Sequence, residues 1–273
     1  MLIALEDGDR VEAARADRGS DFRCPRCRRA MVLKRGRIRI AHFAHKPPTD
    51  CGWARGETLA HLRAKAALRD ALAGRGLDAQ VEFEVSSLGA AGDRRADVLV
   101  RSPSGRPVAI ELQHTPVPVA DIEQRTESYL RAGVAVLWLP FIRDRLWASA
   151  RCDRDQPEGA YVVDRYPAGH WEQWLHGFND GHIWYWDSTD LVLWRGRLGP
   201  CLLEAGHRVW YDDEGEERHS GGYSFPSKRW RRLTLSGPRP PDRLRLTLAR
   251  RRPRRAGRYR FPGGYRADFV AAG

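Results

Sequence analysis

Cys24 and Cys27 frame a Cys-Pro-Arg-Cys knuckle, and His42, His45 and Cys51 follow it along the chain. Thiolates at this spacing converge on one tetrahedral cation, and Cys51 with a single histidine would complete a Cys3His set of the kind that holds structural Zn2+. His45 is preferred because it is closer to Cys51, whereas His42, earlier on an extended segment, points in a different direction. A redox role would need the pair at a helix N-terminus, yet a strand pattern follows it. Burial as small apolar thiols is the alternative, and it is the expectation for Cys152 and Cys201, which have no neighbouring partner.

A second group of chemical residues lies downstream. In "RPVAIELQH" (106–114) Val108, Ile110 and Leu112 alternate with Glu111 and Gln113, and in "RRADVLV" Asp97 is flanked by Ala96 and Val98. If the two stretches form a hairpin about "SPSG", Asp97 and Glu111 approach each other. Paired carboxylates on adjacent strands suit Mg2+, which takes oxygen ligands and accepts phosphate oxygens beside them. Read the other way, the two acids belong to the solvated face of an antiparallel pair. Against that stands "VAVLWLPF" (134–141), apolar throughout, which implies a strand covered on both faces and a helix or cleft over Glu111. On the helical run that begins at Glu57, the residues Glu57, His61 and Lys65 share one stripe that Leu68 and Leu72 continue, turning it inward. A second apolar stripe of Leu59, Leu62 and Ala66 leaves an ordinary surface Glu–Lys helix as the other reading.

The elements that must position these groups follow from periodicity and punctuation. "MLIAL", Met31–Leu33 and Ile38–Ala41 read as short strands, the last two flanking the turn "KRGR". "KPP" and Gly56 separate them from a helix over about 57–73 that "GRG" closes. "AQVEFEVSSL" reads as a strand, the stretches around Asp97 and Glu111 as a hairpin, 119–132 as an amphipathic helix ended by Gly133, and 134–141 as the strand completing a βαβ unit. Four parts are expected: a β-rich zinc-binding module (1–55), an α/β core (56–150), a Trp-rich region of strands and loops (151–225) and an Arg-rich tail (226–273).

With 273 residues, 42% of them apolar, the chain can bury a sizeable core. No apolar run is long enough for a membrane span and "MLIALEDGDR" turns acidic too early for a secretory segment, so a soluble cytosolic protein without a disulfide framework is the expectation. The net charge of +12 is concentrated: 226–273 carries 15 Lys or Arg against Asp242 and Asp268, which leaves the rest of the chain near neutrality.

The succession "MLIAL…CPRC…HFAH…C…ETLAHLRAK…RRADV…AIELQHT…IEQRTESY…VAVLWL" resembles the CoiA-like competence protein family over about residues 1–145. The resemblance implies a PD-(D/E)XK nuclease-like mixed sheet flanked by helices. It implies Glu57 as the helix acid, Asp97 and Glu111 as the second- and third-motif acids around Mg2+ or Mn2+, and the Leu112 carbonyl as a further ligand. Arg125 and Tyr129 match the helical motif of RecB-like nucleases, which braces the site or contacts DNA. Two departures stand out: no proline precedes Asp97, and Gln113 replaces the usual lysine, a neutral amide that orients water without offering an ammonium to developing charge. Lys65 then stands in as the cation, and His61 orients the attacking water or a phosphate.

The expected function is Mg2+-dependent hydrolysis of DNA phosphodiesters in recombination, DNA uptake or defence against foreign DNA. Lys228, Arg229, Arg231, Arg232, Arg250, Arg251 and Arg252 are expected to clamp the DNA backbone together with Arg125. The tryptophans between 171 and 230 are either core or platforms for unpaired bases. The rival expectation is a catalytically inactive, zinc-containing nucleic-acid-binding protein, or an adaptor for a recombinase or other DNA-processing protein.

Overall fold

The computed structural model describes residues 1–54, 57–85, 94–153 and 159–271. Five short strands open the chain: β1 (Ile3–Glu6), β2 (Asp9–Glu12), β3 (Phe22–Arg23), β4 (Ala30–Lys34) and β5 (His42–His45), paired antiparallel in the order β2-β1-β3-β4-β5. Asp7 and Gly8, with φ of 51° and 94°, make the tight β1–β2 turn, a left-handed geometry that these residue types tolerate. Ala4, Phe22, Met31 and Phe43 face inward with Met1, Ala13 and Ala16, building a small core around Cys24. The strand expected at Ile38–Ala41 does not form. Arg35 instead donates to the carbonyls of Ala13, Ala14 and Ala16 at 2.7–3.1 Å, and residues 35–41 leave the sheet as a loop with Ile38 85% exposed.

The helix α1 (Leu59–Gly74) starts at Thr58, whose hydroxyl accepts the His61 N–H at 3.2 Å. Gly76, at φ 78°, then turns the chain. There follow β6 (Ala79–Val85), β7 (Arg94–Arg101) and β8 (Pro107–Gln113), an antiparallel meander, and α2 (Val119–Arg131), which carries the chain to β9 (Ala135–Pro140), parallel to β8. The part of the expected strand "AQVEFEVSSL" beyond Val85 lies outside the described residues. Beyond β9 come α3 (Asp144–Ser149), β10 (Arg151–Asp153), β11 (Ala160–Tyr166), α4 (His170–Phe178), β12 (Ile183–Asp187), β13 (Val192–Glu204), β14 (Arg208–Tyr211), β15 (Glu217–Ser220), β16 (Ser224–Arg239), β17 (Leu244–Arg251), β18 (Arg254–Ala256), β19 (Tyr259–Phe261) and β20 (Gly264–Ala271).

The mixed α/β chain forms two compact units that cut across the four parts expected from sequence. One comprises Met1–Ile142, Trp184–Leu193 and Pro238–Gly273, the other Arg143–Ile183 and Trp194–Gly237. In the first, a six-stranded sheet runs β17-β20-β9-β8-β7-β6, so the segment expected as a basic tail supplies two strands of the main sheet. β20 lies parallel to β9 and antiparallel to β17. Alternation explains how an Arg-rich stretch joins a core: Leu244, Leu246, Ala267 and Phe269 point inward, while Arg245 and Arg250 stay exposed. β9 is covered on both faces, as its composition demands. Leu137 and Leu139 join Leu62, Leu68 and Leu72 of α1, and Trp138 on the opposite side donates to Thr126 of α2 at 3.1 Å.

In the second unit β10, β11 and β16 pair antiparallel, with β13 next to β16. Trp147, Tyr161 and Trp194 meet edge to face with centroids 5.0–5.7 Å apart, and Trp174 stacks on Phe178 at 4.8 Å. Trp171, Trp174, Trp184, Trp186 and Trp194 are buried, so most of the tryptophans weighed as base platforms are core, and Trp210 on β14 is the exposed ring. No helix among the described residues is long and apolar enough to cross a membrane.

Candidate functional site

Both candidate metal clusters belong to the first unit. Cys24 and Cys27 lie just beyond β3, His45 ends β5 and Cys51 follows it, and the β4–β5 pairing brings them together. One ligand atom from each of Cys24, Cys27, His45 and Cys51 falls within a group spanning at most 4.8 Å, with Cys27 Sγ 3.4 Å from His45 Nε2. His42 lies outside it, its Nδ1 2.9 Å from the Ile40 carbonyl oxygen. Three thiols and one imidazole fit Zn2+ in a closed, structural coordination shell. Burial pushes the Cys24 thiol up to about 11, so a cation binding there displaces a proton.

The second cluster sits where α1 meets β7. Thr58 caps α1 so that Glu57 precedes its first turn and His61 and Lys65 follow on one face, as the stripe predicted. Ligand atoms of Glu57, His61 and Asp97 lie within 4.8 Å of one another. His61 Nε2 is 3.1 Å from Asp97 Oδ2, which also accepts the Leu112 N–H at 2.9 Å. Lys65 is fully buried and donates to Glu57 at 2.7 Å and to Glu82 at 2.6 Å, with Asp97 Oδ1 at 3.9 Å. Arg95 adds a donor to Glu57 at 3.2 Å. Glu57 Oε2 is buried without a hydrogen-bond partner, the Met1 ammonium standing off at 3.8 Å, so it keeps a lone pair that an incoming cation would satisfy.

Glu82 had no signal in the sequence. In "VEFEV" alternation assigns it to the outer face beside Glu84, but its φ of 52° breaks the pleat and both Val81 and Glu82 turn inward. Its second oxygen accepts the N–H groups of Leu2 at 2.9 Å and Ile3 at 3.3 Å, joining β1 to the site. Although burial works against ionisation, Lys65 and then Arg95 bring its carboxyl down to about 2.

Glu111 lies opposite Asp97, as the hairpin about "SPSG" predicts. The β7–β8 register sets it one step beyond Val98↔Ile110, across from Asp97, but Arg125 and Tyr129 of α2 hold its two oxygens and it is not among the clustered ligand atoms. Burial pushes its carboxyl up, with Arg125 pulling the other way. A helix does cover the Glu111 face, as the apolar β9 implied, and that helix takes up the carboxylate. Gln113 turns its amide to the Thr115 carbonyl at 2.6 Å. Of the basic residues expected to clamp the DNA backbone, Lys228, Arg229, Arg231 and Arg232 lie on β16 in the second unit, while Arg250 and Arg251 end β17 and Arg252 follows it in the first.

The His61–Asp97 pair makes a pH prediction. Burial lowers the His61 value, but the hydrogen bond and charge of Asp97 outweigh it and the net shift is upward; Asp97, despite its burial, is shifted down by His61. A raised histidine stabilises the fold fully below its ordinary 6.5 and loses that contribution as pH climbs through the folded value. A lowered aspartate contributes above 3.8 and loses it as pH falls. His61→Gln should therefore lower the melting temperature most near pH 5–6 and progressively less up to pH 9, in buffer without added divalent ions. A deficit that grows with pH would contradict the pairing.

Against models of known families, residues 5–54 match the N-terminal domain of competence protein CoiA and residues 57–144 match its nuclease-like domain, together about half of the chain. No curated protein and no solved structure matches the chain. The first match spans the Cys3His module; the second opens at Glu57 and takes in His61, Lys65, Asp97 and Glu111. With both domains present in that order, each carrying its own cluster, the chain belongs to the CoiA-like competence protein family.

Proposed function

We propose that this protein is a metal-dependent DNA nuclease hydrolysing phosphodiester bonds, its six-stranded sheet and α1 forming a PD-(D/E)XK-type core. The observation that carries the reading is the convergence of Glu57, His61 and Asp97, with a buried Glu57 oxygen that accepts no hydrogen bond, inside the nuclease-like match. A divalent cation held by these three would polarise a phosphodiester and lower the pKa of its water, and a mixed imidazole and carboxylate donor set suits Mn2+ as well as Mg2+. Lys65 draws Glu57 and Asp97 toward a common point, and the Leu112 N–H orients Asp97. Because Lys65 is fully buried, it acts on the site by balancing these acids rather than by touching substrate. Arg125 and Tyr129 brace the sheet through Glu111. DNA is the proposed partner, with a recombinase or another DNA-processing protein beside it, in uptake, recombination or defence within the cytoplasm.

Plasmid and single-stranded DNA incubated with Mg2+ or Mn2+ should be cut by the wild type, and Asp97→Ala and His61→Ala should each reduce the rate by at least about 100-fold. Glu111→Gln should cost less, because that carboxylate lies outside the trio. Cleavage surviving both Asp97→Ala and His61→Ala would remove the assignment. One set of observations favours a second reading, a nucleic-acid-binding protein without catalysis: no exposed lysine stands at the site, Lys65 being buried in ion pairs, and the Gln113 amide is occupied by Thr115. Binding without cutting under either metal would select it.

A further inference from the structure

The loop that replaces the expected Ile38–Ala41 strand has a consequence. Together with β4 and the chain before β3 it encloses an open cleft of about 900 Å3 whose lining includes Arg18, Lys34, Arg35, Arg37, Arg39 and Lys46, with Asp21 as the one acid. Arg18, Lys34, Arg37, Arg39 and Lys46 are exposed, and among the described residues none of these five forms an ion pair with a carboxylate. Arg35 is the anchor that shapes the loop, spending its donors on three backbone carbonyls. Five unneutralised cations around a concavity make a strongly positive surface, which focuses polyanions. Apolar side chains stand among them: Val32 is 40% exposed and Ile38 85% exposed.

We propose that this cleft in the Cys3His module binds a single-stranded nucleic acid, its phosphates on Lys34, Arg37, Arg39 and Lys46 and its unpaired bases or sugars against Val32 and Ile38. A duplex keeps its base faces stacked inside, so the exposed aliphatic residues meet no base face; a single strand uses both features. The loop that walls the cleft also touches the nuclease-like domain. Arg63 of α1 donates to the Ile38 carbonyl at 3.3 Å, so the loop rests against the helix that carries the candidate site, on a face other than the His61–Lys65 stripe. This deepens the nuclease reading by naming the form of substrate, yet it stands on binding alone.

The test is fluorescence anisotropy of the full chain with a labelled single-stranded oligonucleotide and with its duplex, across a salt series and without added divalent metal. Reversal of Lys34, Arg37 and Arg39 to Glu should weaken single-strand binding at least 10-fold and flatten the slope of log K against log salt by about 2. The same charge change made with Arg145→Glu, Arg165→Glu and Arg197→Glu should leave most of the affinity. Arg37→Ser alone, an exposed loop change, should cost a few-fold and keeps the test valid if the triple variant misfolds. Equal losses in the two triple variants, an unchanged slope, or tighter binding of the duplex would each overturn the proposal. A chain that binds the strand here but cuts nothing refutes the nuclease reading and leaves the cleft standing.

Discussion

Serine in place of both Cys24 and Cys27 should abolish zinc binding and unfold the N-terminal sheet. The purified wild type should carry one Zn2+ per chain, and the double variant none. The expected effect is large because the module has little else to hold it. Its strands are two to five residues long and its core is a handful of side chains around Cys24. Structural zinc contributes on the order of 10–16 kcal/mol in small domains, as much as or more than the net stability of most folded domains. Hydrogen exchange is the appropriate measurement: amides of β1–β5 should lose protection while those of β7–β9 keep theirs. The loss should reach the second cluster, because Leu2 and Ile3 supply two of the donors to Glu82. Wild type without stoichiometric zinc, or a double variant that retains it, would remove the assignment. A zinc-free variant with unchanged exchange would show that the metal is not what folds the module.

Glu82→Ala should be the most destabilising single substitution near the candidate site. The side chain is 1% exposed and pairs with a fully buried ammonium; removing one partner of a buried pair costs about 3–5 kcal/mol. Glu57 continues to hold Lys65, which pulls toward the lower figure, while the orphaned Leu2 and Ile3 amides add about 1–3 kcal/mol. At about 2–4 °C per kcal/mol, the melting temperature should fall by roughly 10–20 °C. Glu84→Ala is the control: it is on the same strand, 37% exposed and paired only loosely with Arg26 at 3.6 Å, and should stay within about 1 kcal/mol of wild type. Lys65→Met combined with Glu82→Gln should cost less than the sum of the two single changes, since the pair is removed together. Equal melting of Glu82→Ala and Glu84→Ala would refute the inward placement of Glu82.

Much of the candidate site was legible because it depends on local spacing. A helix places residues four apart on one face, so Glu57, His61 and Lys65 could be aligned before any fold was known. The Cys-x-x-Cys knuckle and the nearer histidine reduced in the same way to donor chemistry and chain reach. The apolar run at 134–141 required cover on both faces whatever the cover was. What remained hidden depended on a single backbone angle or on a distant partner. The left-handed φ of Glu82 reversed its face, which no alternation rule anticipates. Glu111 was placed on the right face, but Arg125 and Tyr129 of α2 had already claimed its oxygens.

The tail shows the same division on a larger scale. Its arginines dominate its composition, and although "DRLRLTL" (242–248) alternates like a strand, nothing local shows that this strand pairs with the Ala267–Phe269 stretch and so joins the sheet that contains β9. By itself the sequence determined donor sets, helix faces and the need for a two-sided strand, because these follow from residue type and period. Tertiary structure alone decided which carboxylate is captured by α2, which is turned inward to Lys65, and which cations are left unpaired around the N-terminal cleft. Those outcomes depend on pairings across long stretches of chain, where a few kcal/mol of burial and charge compensation outweigh any local preference.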